Sequence, residues 1–291
     1  MPILARFLRS CLAAPAQVFA LVATTVLLLS HSALTLAADA PPLRLYTLDG
    51  GELDFKDMSS FSDTGDYDGK AGKVVVPCFL IRHPNGTLMW DTGLAPAFAK
   101  DEPWEKYGVR ASVGPSIEQQ LRRIGLAPRD ITYVAFSHLH MDHIGNANLF
   151  GSSTWILNKK ELTWATSPDS PAGDLSTFSA YKKAKTKLID GDFDVFGDGT
   201  VRILKTPGHT PGHQVLLVRL KSGSVLLSGD LWHLRSDVTG GLIYAGNVDR
   251  AATLASFDRV QKLLVNLHAR LIVQHDPQDY QALPKLPAFL Q

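Results

Sequence analysis

The stretch of the chain most loaded with chemistry is Ser137-His138-Leu139-His140-Met141-Asp142-His143. Neutral imidazoles beside a carboxylate suit a borderline divalent metal such as zinc. In extended backbone, residues two apart point to the same side, so His138 and His140 can converge on one ion. Asp142 and His143 lie a little further along and can reach a second ion nearby. A polar loop with incidental histidines is a poor account of so dense a cluster at a strand end. Three more segments have the right chemistry. Thr206-Pro207-Gly208-His209-Thr210-Pro211-Gly212-His213 is full of turn residues. Leu227-Ser228-Gly229-Asp230 and Val273-Gln274-His275-Asp276 each close an apolar run with ligand-type side chains. Each alone is weak, since a single His or Asp at a buried strand end is more often hydrogen-bonded structure. Together with the first cluster they complete a ligand set for two metals.

These segments need strands to position them, and short apolar runs stand where strands are required. They are Leu43–Leu48, Lys73–Ile81, Thr87–Trp90, Tyr133–Ser137, Thr154–Leu157, Val201–Lys205, Gln214–Leu220, Ser224–Leu227 and Leu271–Gln274. Gly, Pro, Asn and Asp punctuate them. Helical spacing predicts a helix over Ser116–Ile124, with Pro115 at its first position. A second is predicted over Ala251–Val265, capped by Asp249, with Leu254, Phe257, Val260 and Leu264 on one face. A third covers Lys159–Ala165. Strands in series and then interleaved with helices indicate a layered α/β domain. The stretches Gly50–Gly72 and Leu94–Gly114 read as long loops. The second carries Phe98, Trp104 and Tyr107, which either wall a binding site or cover the core.

The N-terminus has Arg6 and Arg9, an apolar middle over Val18–Leu29, and small residues at Ala33, Ala37 and Ala38. That is the tripartite pattern of a secretory signal peptide, and its dense apolar core is short for a membrane span. Residues 1–37 are therefore expected to be removed, leaving a mature domain of residues 38–291 without a stable membrane anchor, periplasmic or secreted. The full chain of 291 residues has a formal net charge of +1. So balanced a charge argues against a nucleic-acid partner bound through phosphate neutralisation. Of the two cysteines, Cys11 would leave with the signal and Cys78 lies in an apolar run. Cys78 reads as a buried small hydrophobe, not a catalytic thiol.

The order His138-x-His140-x-Asp142-His143, then His209, Asp230 and His275, resembles the metallo-β-lactamase superfamily, as does Asp91-Thr92-Gly93 after a strand. The resemblance covers about Leu43 to His275. It implies a four-layer αββα sandwich with two divalent metal ions, expected to be Zn2+, at one edge of the two sheets. By that resemblance His138, His140 and His209 hold the first metal. Asp142, His143 and His275 hold the second, and Asp230 bridges both. His213 falls outside the direct ligands. A bridging carboxylate at Asp230 is typical of the dinuclear hydrolases and not of the true β-lactamases.

Thr206–Gln214, Ser222–Asp230, the Ala251–Leu264 helix and the His275-Asp276 ending resemble the N-acyl-homoserine lactonases. The implied substrate is a small lactone or ester. A signal peptide fits such enzymes better than it fits glyoxalase II relatives. In the implied reaction, a pair of metals makes hydroxide available near neutral pH, as zinc does when it lowers the pKa of a bound water to ~7. Asp142 passes a proton to the leaving alkoxide. The lactonases place a tyrosine near the bridging Asp to hold the substrate carbonyl. This chain has His233 there, whose ring N–H can replace a phenol as donor. Gly-Asp-Leu-x-His also resembles secreted organophosphate hydrolases of the same superfamily, so a phosphotriester or aryl ester is the alternative substrate. A non-catalytic metal site would saturate its ions with protein ligands, whereas this set leaves a bridging position open.

Overall fold

The structure is a computed structural model that describes residues 42–99, 108–170, 172 and 175–291. The expected signal peptide, Trp104 and Tyr107 lie outside the described residues. One sheet of seven strands comprises β1 (Arg44–Phe55), β2 (Gly72–His83), β3 (Gly86–Trp90), β4 (Val109–Ser112), β5 (Tyr133–Ala135), β6 (Thr154–Asn158) and β7 (Lys185–Ile189). Its order is β4-β1-β2-β3-β5-β6-β7, antiparallel from β4 to β3 and parallel from β3 to β7. A second sheet of five comprises β8 (Phe193–Asp194), β9 (Val201–Lys205), β10 (Gln214–Leu220), β11 (Gly223–Leu227) and β12 (Arg270–Ile272), in the order β12-β11-β10-β9-β8.

The alternation of side chains along the strands builds the layers. On β10, Leu216 and Val218 face β1, β2 and β3 residues Leu45, Phe79, Ile81, Leu88 and Trp90, forming the core between the sheets. Val215 and Leu217 point the other way, onto Phe257 and Val260. On the opposite side Tyr46, Leu48, Leu80 and Met89 meet Ile117, Leu121 and Ile144. Three apolar interlayer spaces therefore separate four layers, the αββα sandwich that the resemblance implies. Cys78 is fully buried in the last of these, beside Leu48 and Leu80, and burial pushes its thiol up.

The helices are α1 (Ile117–Arg122), α2 (Met141–Ile144), α3 (Lys159–Ala165), α4 (Arg235–Gly240), α5 (Arg250–Leu267) and α6 (Pro277–Gln281). Asp249 caps α5 by accepting from the Ala252 N–H at 2.9 Å, as expected. At α1 the cap is Ser116, whose hydroxyl accepts from Gln119 N, so Pro115 stands outside the helix instead of opening it. The buried face of α5 also differs from expectation. Thr253, Ser256, Phe257 and Val260 face inward, while Leu254 is 43% exposed. Thr253 takes the inward position against Gly208, its hydroxyl donating to Asp249 O and accepting from Asn247 Nδ2. Strand β1 runs on to Phe55, because pairing with β2 resumes past an irregularity at Asp49/Glu52. The expected loop from Gly50 therefore begins as strand.

Candidate metal centre

Four segments that leave strand ends meet at one edge of the sandwich. Residues 136–143 follow β5, with His140 as the residue before α2, so Asp142 and His143 sit on that short helix and not in extended chain. Residues 206–213 join β9 to β10. Gly229 follows β11 at φ +50°, where a Cβ would lie 2.7 Å from both His213 Nε2 and Ser137 Cβ. Only glycine lets the chain pass that gap and deliver Asp230. Residues 273–276 follow β12.

All seven candidate ligands come together in two groups. Donor atoms of His138, His140, His209 and Asp230 lie within 4.8 Å of one another, as do those of Asp142, His143 and His275. His140 Nδ1 is 2.8 Å from His138 Nε2 and 3.0 Å from His209 Nε2. Asp230 faces both groups with different oxygens. Its Oδ2 is 3.6 Å from His138 Nε2 and 3.4 Å from His209 Nε2. Its Oδ1 is 3.1 Å from His143 Nε2 and 3.0 Å from His275 Nε2. Asp142 Oδ2 lies 3.6 Å from His143 and 3.7 Å from His275, with 16% of its side chain still exposed.

The outer nitrogens of these rings are tied to fixed partners, which orients the inner ones. His209 Nδ1 meets Asn247 Oδ1 at 2.8 Å, and His275 Nδ1 meets the Val75 carbonyl at 2.6 Å. His143 Nδ1 meets Asp91 Oδ2 at 3.0 Å. Each of these partners is an acceptor, so Nδ1 carries the proton and Nε2 turns a lone pair inward. Asp91 also accepts from Ser137 N, Ser137 Oγ and Gln274 Nε2, and so ties the ends of β3, β5 and β12 together. Thus Asp91-Thr92-Gly93 supports the site from beneath. His213 stands behind Asp230, its Nε2 accepting the Asp230 N–H at 3.0 Å.

The electrostatics of the centre fit a cation. Burial holds the His138, His140 and His209 imidazoles below their ordinary range, so they stay neutral with lone pairs to give. Burial pulls His143 and His275 the same way, but the Asp230 and Asp142 carboxylates outweigh it and raise both. Burial alone would raise Asp230, yet the facing imidazoles, His143 foremost, hold it well below the usual carboxylate range. The carboxylates thus favour positive charge in the gap, the kind of charge a divalent ion carries. The donor set suits zinc or a similar borderline metal.

Aromatic side chains wall the site. His233 Nε2 lies 3.2 Å from Asp230 Oδ2, and its ring is 4.6 Å from Tyr244 and 5.3 Å from Phe61. Tyr244 is also 5.7 Å from His209. Burial pushes its phenol up, so it stays protonated. Tyr244 escapes sequence reasoning because it sits on the loop before α5, outside every ligand motif. Phe61 comes from the loop between β1 and β2. Tyr67 on that loop donates to Asp237 Oδ1 at 2.7 Å, while Asp237 Oδ2 accepts the His233 and Leu234 N–H groups. The β1–β2 loop is therefore tied through Asp237 of α4 to the backbone of His233. Half-buried Phe98 packs beside Leu94 and Ala111, away from this wall.

The comparisons with known proteins agree with this architecture. Residues 71–273 match the description "Metallo-beta-lactamase superfamily". The chain is 32% identical over 264 residues to the N-acyl homoserine lactonase AttM of Azorhizobium caulinodans, covering 85% of this chain and 98% of that protein. It is 26% identical to the N-acyl homoserine lactonase AiiA of Bacillus thuringiensis subsp. kurstaki, over 76% of this chain and 89% of that one. A solved N-acyl homoserine lactone hydrolase, with N-hexanoyl-L-homoserine bound at its catalytic metal centre, superposes with a TM-score of 0.75 at 25% identity. That match covers 85% of this chain and 98% of the other. A match running through both sheets, from β2 past β12, leaves one conclusion: the chain belongs to the metallo-beta-lactamase superfamily.

Proposed function

We propose that this protein is a dinuclear metal-dependent hydrolase that opens the lactone ring of N-acyl-homoserine lactones. The observation that carries the reading is Asp230, whose two oxygens face two separate sets of inward lone pairs. His138, His140 and His209 would hold one ion, and Asp142, His143 and His275 the other, with Asp230 shared and Zn2+ the metal. Bound there, the ions supply Lewis acidity and lower the pKa of water. The matches span 98% and 89% of two relatives named for lactone hydrolysis, which favours this substrate class.

The chain's own residues supply the rest. In ring opening, water adds to the lactone carbonyl carbon, the ring C–O bond breaks, and the departing alkoxide oxygen needs a proton. Asp142 is the carboxylate at the site with open access, and it is placed to accept the proton and return it to that oxygen. His233 offers an N–H donor beside Asp230 for the substrate carbonyl, and the protonated Tyr244 phenol is a second donor on the same wall. Phe61 and Tyr244 pack edge to face, 5.7 Å apart, and form an aromatic wall on one side. We further propose that residues 1–37 direct export and that the mature protein works in the periplasm or outside the cell.

The test is a substrate panel with the purified zinc-loaded protein: homoserine lactones, aryl esters, a phosphotriester and a β-lactam. Lactone opening that outpaces the others supports the reading. Preference for the phosphotriester or aryl ester assigns the site to the alternative that the Gly229-Asp230-Leu231-Trp232-His233 segment resembles.

A further inference from the structure

We propose that Glu161 is a positioning residue that sets the geometry of the His138, His140 and His209 group. This residue touches none of the donor atoms. It sits in the first turn of α3, where Asn158 Oδ1 caps the helix by accepting from Lys160 N and Glu161 N. It is 3% exposed. Its Oε1 accepts the Leu139 N–H at 2.9 Å, and its Oε2 accepts the Gly212 N–H at 2.9 Å. Leu139 separates His138 from His140. Gly212 belongs to the turn-rich segment that carries His209. One carboxylate thus joins the two loops that supply all three imidazoles.

The packing gives a second, independent sign. A Cβ on Gly212 would lie 2.4 Å from the Glu161 backbone nitrogen, 2.5 Å from its Cβ and 2.6 Å from Asn158 Oδ1. The His209 loop is therefore seated directly on the first turn of α3, with no room for a side chain between. Leaving a carboxylate in so dry a place is unfavourable, and burial pushes Glu161 up to about 7. A fold needing only filler there would do better with an apolar residue. What a carboxylate offers is two acceptor oxygens on one rigid group, one for each loop. Glutamine has the same shape but turns an NH2 toward one of the two N–H donors. Glu161→Gln therefore breaks one link with little change in volume.

The inference rests on His138, His140 and His209 holding one of two ions. The experiment is zinc titration of the metal-free full chain in competition with a chelating dye, which reads both ions. Glu161→Gln is expected to weaken one ion by about 10–100-fold, the range for changes behind a metal ligand, and to leave the other within about threefold. Gly212→Ala, which pushes the same two elements apart, should weaken the same ion. At saturating zinc, Glu161→Gln should recover kcat with KM unchanged. Two ions bound by Glu161→Gln with wild-type affinity would overturn the role of Glu161 alone. Variants that fail to fold even with zinc present assign Glu161 to the fold and also overturn it. Fewer than two ions in the wild type would instead refute the ligand assignment itself.

Discussion

Asp91 offers the sharpest perturbation, because one substitution alters a single atom of a buried hub. Asp91→Asn keeps size, shape and the backbone at φ 57°, a left-handed conformation that Asn tolerates as well as Asp. The carboxylate faces four donors: Ser137 N at 2.7 Å, Ser137 Oγ at 3.0 Å, His143 Nδ1 at 3.0 Å and Gln274 Nε2 at 2.7 Å. Whichever way an amide sits, its NH2 meets an N–H donor. One charge-assisted bond is lost, worth about 1.5–3 kcal/mol, and a buried donor is left unpaired at a further ~1–3 kcal/mol. A central total of about 4 kcal/mol corresponds to a fall in Tm of ~8–16 °C for a domain of this size. His143 Nδ1 is left facing an uncharged amide in place of a carboxylate, so zinc affinity on that side should fall by about 10–100-fold. Thermal unfolding of the metal-free protein and a chelator competition read the two effects separately. A Tm within about 2 °C of wild type, with both ions held as before, would refute the hub reasoning.

Three other outcomes are expected. Asp230→Asn and His209→Ala should each lose at least one zinc equivalent by elemental analysis and most turnover; full activity in either would rule out the shared site. His233→Ala should lower lactone kcat by about 10–1000-fold if its ring N–H serves the carbonyl. His233→Tyr should recover part of that loss, and indifference to both variants makes His233 a bystander with Tyr244 as the donor. His213 is held neutral by burial, lowered from 6.5 to about 4. Its folded form therefore binds fewer protons than the unfolded chain across that window. The stability it contributes is complete above pH 6.5 and is lost as pH falls toward 4. Chemical denaturation of metal-free protein at stepped pH should show this limb, and His213→Gln should flatten it.

The convergence of the seven side chains is legible because strand ends with ligand-type side chains are local features, and the apolar strands before them announce themselves. His140, Asp142 and His143 join it even though the segment turns into a helix that the spacing does not indicate. What escaped was decided by tertiary contact. Strand β7, Lys-Thr-Lys-Leu-Ile, is an edge strand with four of its five residues exposed, so it lacks the apolar alternation of a buried strand. The α5 face departs from hydropathy at Leu254 because Thr253, packed against Gly208 with its hydroxyl hydrogen-bonded on both sides, takes the inward position. Pro115 has a helix-opening character in isolation, but the Ser116 and Gln119 side chains reciprocate a capping box just after it. Tyr244 and Glu161 carry no motif at all. One reaches the site by loop packing and the other by hydrogen bonds to backbone, and neither leaves a mark in local spacing.

The central claim is that this centre opens a lactone ring with two metals acting as a unit. The most direct measurement is acid release from an N-acyl-homoserine lactone as zinc is added stepwise to the metal-free protein. The account expects ring opening to rise as the site fills to two equivalents, to vanish with a chelator, and to be absent from Asp230→Asn at any zinc level. Two bound equivalents with no lactone opened, or full turnover without metal, would contradict it.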